Sequence, residues 1–169
     1  TFTSAGALTL GSAATDTVTL SEGDVTLAVT GTTTVNSEVD GAFDLVINST
    51  GGSTFNAPVG SNTAIGDGTG ASLAIGAAAG AVTFNSTLRT ATGITQDGTA
   101  GLLTLVDDTT VVAAGTGTVL SGNVTLDGLT FTSGDAVTFG SDGADTVTLS
   151  GGDVTLAVTG ATTVNSVVN

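Results

Sequence analysis

The chain has 169 residues, which suits one domain or a short run of a repeating array. It carries 15 acidic side chains against a single basic one, Arg89, for a formal net charge of −14, and it has no His, Cys, Met, Trp or Tyr. This balance leaves nothing to neutralise phosphates, which excludes nucleic acid and anionic membrane surfaces as partners, and the missing residue types exclude imidazole and thiol catalysis and disulfide bonds.

Two further classes fall away on composition. A mean hydropathy of +0.46 and 40% hydrophobic residues are too apolar for a disordered chain. No run of about 18 apolar residues exists, so no helix inserts into a membrane. The apolar content is mostly Val, Leu, Ile and Ala, with only six Phe. Such residues fill a narrow interior better than a broad globular core, which draws on large aromatics. Thr1 opens no basic, signal-like segment, so the sequence reads as a mature or internal piece of a longer chain.

In chain order, short alternating apolar runs lie at 7–10, 17–20, 25–29, 43–47, 102–106, around Val119 and at 124–126. Each is rich in β-branched residues and bounded by Gly, Asn, Asp or Ser, the pattern of short strands separated by turns. The best helical candidate, 71–81, is interrupted by Gly76 and Gly80. The chain is therefore expected to be all-β.

A long repeat organises these strands. Residues 1–40 and 130–169 align without a gap at an offset of 129 and are identical at 29 of 40 positions. Residues 1–129 are thus one full repeat, and 130–169 begin the next with no linker. A shorter motif recurs inside it: Thr, apolar, Asn, two variable residues, apolar. It places Val35-Asn36, Phe55-Asn56, Phe84-Asn85 and Val164-Asn165 at equivalent positions. The apolar member is expected to be a core slot, and the Asn to sit in a turn and stack into a ladder. The spacings imply five or six coils per long repeat, within the size range of solenoid units. The expected fold is a parallel β-solenoid. The alternative is a tandem array of β-sandwich repeats, which predicts a buried Trp or a tyrosine corner in each domain.

The Thr-Phe-Asn-x-x-Val type of motif, the stretch from Gly122 to Phe131 and the Thr/Gly/Ala/Val background resemble repeat regions of giant bacterial surface proteins. Those are the filamentous-haemagglutinin-like and autotransporter-like adhesins. The resemblance implies a right-handed β-helix, secretion to the cell surface, and a stalk with no functional residue of its own.

Chemistry-bearing candidates are few. Asp107-Asp108 is the only adjacent acidic pair, and it reads as a turn because no His or Lys accompanies it. Asp16, Glu22, Asp24, Asp67, Asp142, Asp145 and Asp153 are candidate Ca²⁺ ligands, although calcium needs six or more converging oxygens. No cofactor is required. Thr-x-Thr pairs are the residue type of ice-binding solenoids, but their spacing along the chain follows no constant coil length. The functional expectation is a non-enzymatic, extracellular filament or adhesin stalk of bacterial type. Its partner is itself, as further covalent repeats or as end-to-end or lateral copies, with no small-molecule substrate. The alternative is a surface-layer lattice protein dependent on calcium.

Overall fold

A computed structural model describes residues 1–169. The polypeptide winds through eight coils of short parallel strands. The first coil holds β1 (Phe2–Ser4), β2 (Leu8–Leu10) and β3 (Thr17–Thr19), and the second β4 (Val25–Val29), β5 (Thr33–Val35) and β6 (Glu38–Asp40). The third holds β7 (Leu45–Ile47) and β8 (Ser53–Phe55), and its third side is a single bridging residue, Val59. Then come β9 (Leu73–Ile75), β10 (Val82–Phe84) and β11 (Leu88–Thr90), followed by β12 (Ile94–Gln96), β13 (Leu103–Leu105) and β14 (Thr109–Val111). The sixth coil is β15 (Thr118–Leu120), β16 (Val124–Asp127) and β17 (Thr130–Ser133), and the seventh β18 (Val137–Phe139), β19 (Thr146–Ser150) and β20 (Thr155–Val158). The eighth is β21 (Thr162–Val164) and β22 (Val167–Val168).

Stacked coils make three parallel sheets, here faces A, B and C. Face A runs from β1 to β21 and face B from β2 to β22, with eight strands each. Face C runs from β3 and β6 through Val59 to β11, β14, β17 and β20. The fold is therefore the β-solenoid expected, and the sandwich alternative falls because every strand pairs in parallel with its neighbours one coil away.

Strand length explains the burial. A three-residue strand points its first and third side chains one way and its middle one the other. From β7 to β14 every strand shows this buried, half-buried, buried pattern. The inward residues merge into one cluster of 29 buried apolar side chains. Phe55 and Phe84 stack face to face within it, with ring centroids 4.7 Å apart. Gln96 takes an inward position where its neighbours have Ile75 and Leu120, and its side-chain amide nitrogen, Nε2, donates to the carbonyls of Gly101 and Asn123. Some buried hydroxyls pair, as Ser72 does with Thr92 at 2.8 Å, whereas those of Ser37, Ser53 and Thr90 have no partner.

Coil lengths vary although the strands do not. The step is 19 residues from Thr118 to Val137 and 28 from Leu45 to Leu73. The long coil throws out an excursion after Gly60 and returns Ile65, fully buried, to pair with Thr90.

The two copies of the long repeat fold alike. Phe2 pairs Leu27 as Phe131 pairs Leu156, and Thr17 pairs Glu38 as Thr146 pairs Val167. Ser12 N–H donates to Asp16, and Ser141 N–H to Asp145. Glu22 holds φ at 62° where the second copy has Gly151 at 69°, so this turn keeps its left-handed geometry through the substitution. Yet the copies lie on different faces. β1 is on face A and its counterpart β17 on face C; β2 is on B and β18 on A; β3 is on C and β19 on B. The 129-residue repeat thus advances five and two-thirds turns. Any sequence feature reappears on a different side.

Candidate functional site

The coil motif is realised on face B. Val35, Phe55 and Phe84 stand in register and are buried to 1% exposure each. Beside them Asn56 donates to Asn36 at 2.9 Å and Asn85 to Asn56 at 2.8 Å, forming the expected ladder. Val164 and Asn165 do not belong to this column. They follow the shifted copy onto face A, where Val164 pairs with Phe139 and Asn165 Nδ2 donates to the Gly140 carbonyl. Val164 lies in the last coil with nothing stacked beyond it and is 46% exposed. The two-thirds turn moves it, because a match in sequence is no longer a match in azimuth.

The column beside the Asn ladder was seen in the sequence only in part, since Thr34, Thr54 and Thr83 open the coil motif and its other members carry no such mark. The outward middle residues of face B are Thr9, Thr34, Thr54, Thr83, Thr104, Thr125 and Thr148, paired rung to rung through seven successive coils. None of these seven hydroxyls makes a hydrogen bond within the chain. The signal lay in the repeated inward-Thr-inward triplets, hidden by the changing coil length.

The acidic side chains are turn formers. Asp16 accepts from the backbone of Ser12 and Ala13, and Asp145 from Ser141 and Asp142. These bonds hold both carboxyls below the usual range, with the Ser12 and Ser141 N–H groups the largest cause. The Thr69 hydroxyl and N–H do the same for Asp67. Asp142 accepts from Ala144, while Asp24 accepts from the Asp44 N–H. Asp107 and Asp108 accept from the backbone of Asp108 and Thr130, as the turn reading expects.

The seven candidate calcium ligands are spread along the solenoid from the first coil to the seventh, and nowhere do three carboxylates converge as a metal site would require. The nearest approach to a column is Asp24, Asp44 and Asp67, where the Asp44 N–H donates to the Asp24 carboxylate and the Asp67 N–H to that of Asp44. Burial raises the carboxyl of Asp44, and the charges of Asp24 and Asp67 add to the rise. Glu38 is also raised, first by burial and then by Asp40 beside it.

The last coils expose Leu149, Leu156, Val164, Val167 and Val168, and the first exposes Phe2. Several of these are inward-facing residues with no coil beyond them: Phe2 registers with Leu27, Leu156 with Phe131 and Val168 with Val147. Apolar hollows lead into the core from both ends, lined by Leu10, Val18 and Val25 at one and Phe139, Leu156 and Val168 at the other. Comparison with known proteins returns no family model, no curated protein and no solved structure that matches the chain.

Proposed function

We propose that this chain is a structural segment of a secreted bacterial filament or surface stalk, acting by extension and by contact with copies of its own repeat, and not as an enzyme. The observation that carries this reading is the continuous stacking of parallel coils through both copies of the 129-residue repeat, with no break or linker between them. The absence of His, Cys and Lys and the use of Asp in turns agree with a mechanical role.

Negative-stain microscopy of the purified chain tests it. Unbranched threads one solenoid wide, unaffected by chelator, are the expected result. A two-dimensional lattice that dissolves in chelator would replace this reading with the surface-layer alternative.

The threonine column favours a second reading, a surface that orders water and binds ice. Its methyls and unbonded hydroxyls repeat at the strand spacing of about 4.8 Å. Thermal hysteresis of the chain, lost in a Thr54→Lys/Thr104→Lys variant, is the expected outcome on this reading; no hysteresis at millimolar concentration dismisses it.

A further inference from the structure

We infer that face B is a lateral docking surface for a second copy of this chain, laid against it face to face with both solenoids running the same way. This inference rests on the filament reading and names the surface and the register of the contact between copies.

The threonines on face B belong to the face and not to the repeat. Strand propensity acts alike on all three sheets, yet face A interrupts its outward threonines with Val46, Ala74 and Val119, and face C with Arg89 and Ala157. Duplication does not account for the column either. Thr9 and Thr34 reappear in the second copy as Thr138 and Thr163 on face A, while Thr148, which continues the column on face B, is the counterpart of Thr19 on face C. A threonine column unbroken across that boundary answers to what lies outside the sheet.

Charge singles out the same face. Apart from Asp127 at its edge, every carboxylate lies at a corner of the coils or on face C, so two chains of net charge −14 approach with least repulsion through faces A and B. Face A is hollowed, with Gly76, Asp97 and Gly98 beside a floor of Ala74, Thr95 and Val119. Face B instead carries an apolar rung at mid-length: Leu102, 42% exposed, and half-buried Val106 flank Thr104. An exposed leucine on an uncharged sheet is what a second protein surface covers, whereas an ice surface finds no hydrogen bond there.

Face B fits a copy of itself. A two-fold axis parallel to the solenoids keeps each coil at its height and reverses the order of residues across the sheet. Each threonine then faces its own mate, and the residue two before it faces the residue two after it. Gly52 meets Asn56, Ala81 meets Asn85, Leu102 meets Val106 and Asn123 meets Asp127 of the second copy. Small residues stand opposite the amides of the asparagine ladder, and apolar opposite apolar. A donor stands opposite the one carboxylate, because Asn123 uses its Oδ1 on Thr146 and keeps Nδ2 for a partner. In an antiparallel pair about the same rung, Asp107 and Asp108 of the two copies would confront each other. A strip as wide as residues 102–106 over seven coils covers about 500 Å² of each copy, from strand rise and strand spacing. The total of about 1,000 Å² is the lower limit for a specific interface, so one chain pairs weakly and a longer run of coils pairs more tightly.

The chain has no cysteine, so single cysteines read the register. Thr54→Cys and Thr125→Cys, each alone and treated with a short thiol–thiol cross-linker, are expected to give dimers linked between like positions, while Thr95→Cys, outward on face A, stays monomeric. Equilibrium sedimentation should show a dimer with a dissociation constant on the order of 100 µM, tightening with salt as the repulsion is screened. Leu102→Asp should weaken it at least about tenfold and leave the circular dichroism melt unchanged, because the side chain is outward. Asn123→Asp should weaken it by placing two carboxylates together, and Asn123→Asp/Asp127→Asn should restore it in the parallel register alone. Dimers linked through Thr95, undiminished pairing of Leu102→Asp, no rescue by the exchange, or no side-by-side dimer at all overturns the inference; threads in negative stain would then still support the filament reading. Thermal hysteresis by the monomer assigns the face to ice and overturns the inference too. Absence of both dimers and threads overturns both readings.

Discussion

Replacing Phe84 with alanine is expected to cost about 3–5 kcal/mol, the range for emptying a fully packed aromatic site. The ring is 1% exposed and sits in the middle of the stack, held between Phe55 below and Leu105 above. Its neighbours belong to short strands whose positions are fixed by three ladders, so they cannot collapse into the space. Stacking on Phe55 adds about 0.5–1.5 kcal/mol of pairwise coupling, which a double-mutant cycle with Phe55→Ala isolates. Phe2→Ala, at 45% exposure, is the comparison and should cost about 1 kcal/mol or less in the unassembled chain. The measurement is denaturant unfolding followed by far-ultraviolet circular dichroism below the concentration of assembly. A solenoid's stability is close to a sum over coils and their interfaces, so Phe84→Ala should also split the transition, with outer coils on either side melting apart. Equal effects of Phe84→Ala and Phe2→Ala would contradict the placement of the core.

How much of this was legible depended on whether a feature repeats by strand or by coil. Strand identity was readable because alternation is local: Leu8-Thr9-Leu10 and Leu103-Thr104-Leu105 fold as their patterns require. The Asn36, Asn56 and Asn85 ladder was readable because those coils follow one another directly. Val164 was misplaced because 80 residues separate it from Phe84, and that interval spans three and two-thirds coils where a whole number was expected. The full threonine column escaped because coil length along it varies between 20 and 29 residues. The coil motif joins Thr34, Thr54 and Thr83, whereas only the hydrogen-bond register adds Thr9, Thr104, Thr125 and Thr148. Ile65 had no pattern at all to mark it: it is an isolated apolar residue in a Gly- and Asp-rich stretch, buried only because the excursion folds back.

Loops of unequal length and strands of equal length have a common physical origin. Lengthening a flexible loop costs little, roughly 0.6 kcal/mol per doubling, so corners drift freely between coils. An inward side chain or ladder bond has no such latitude, since a slip of one residue turns every apolar side chain to water. This is why Ala13 and Ala14 become Asp142 and Gly143 between the copies while Thr17-Val18-Thr19 is kept as Thr146-Val147-Thr148. It also explains how the same 40 residues serve on different faces. Each strand meets only its neighbours one coil away, and those neighbours are conserved in the pairing whatever the side of the solenoid. A non-integral repeat then distributes each surface feature around the axis, with a return to the same face after three repeats.

Corners tolerate change only where the backbone leaves room, and Gly60→Ala is expected to be one of the most damaging substitutions outside the apolar core. Gly60 ends the third coil's contribution to face C, with φ at 79°, and donates its N–H to the Val39 carbonyl at 2.7 Å. A Cβ there would fall inside the radius of the Arg89 carbonyl oxygen on the next coil. Face C is at its thinnest here, a single bridging residue, Val59, joining β6 to β11. Two costs combine. The left-handed conformation takes about 1–2 kcal/mol from any residue with a Cβ, and relieving the clash means separating the two coils and weakening the Ile65 to Arg89 bond beside them. The expected total is on the order of 3 kcal/mol. Gly68→Ala isolates the first cost, because Gly68 has φ at 88° but nothing within contact distance of an added Cβ; it should lose only about 1–2 kcal/mol. Denaturant unfolding of both variants checks the difference. Amide hydrogen exchange locates it, with protection falling at Val59, Ile65 and Arg89 in Gly60→Ala and unchanged there in Gly68→Ala. Equal losses in the two variants would mean that the coils at Gly60 are not in the close contact described.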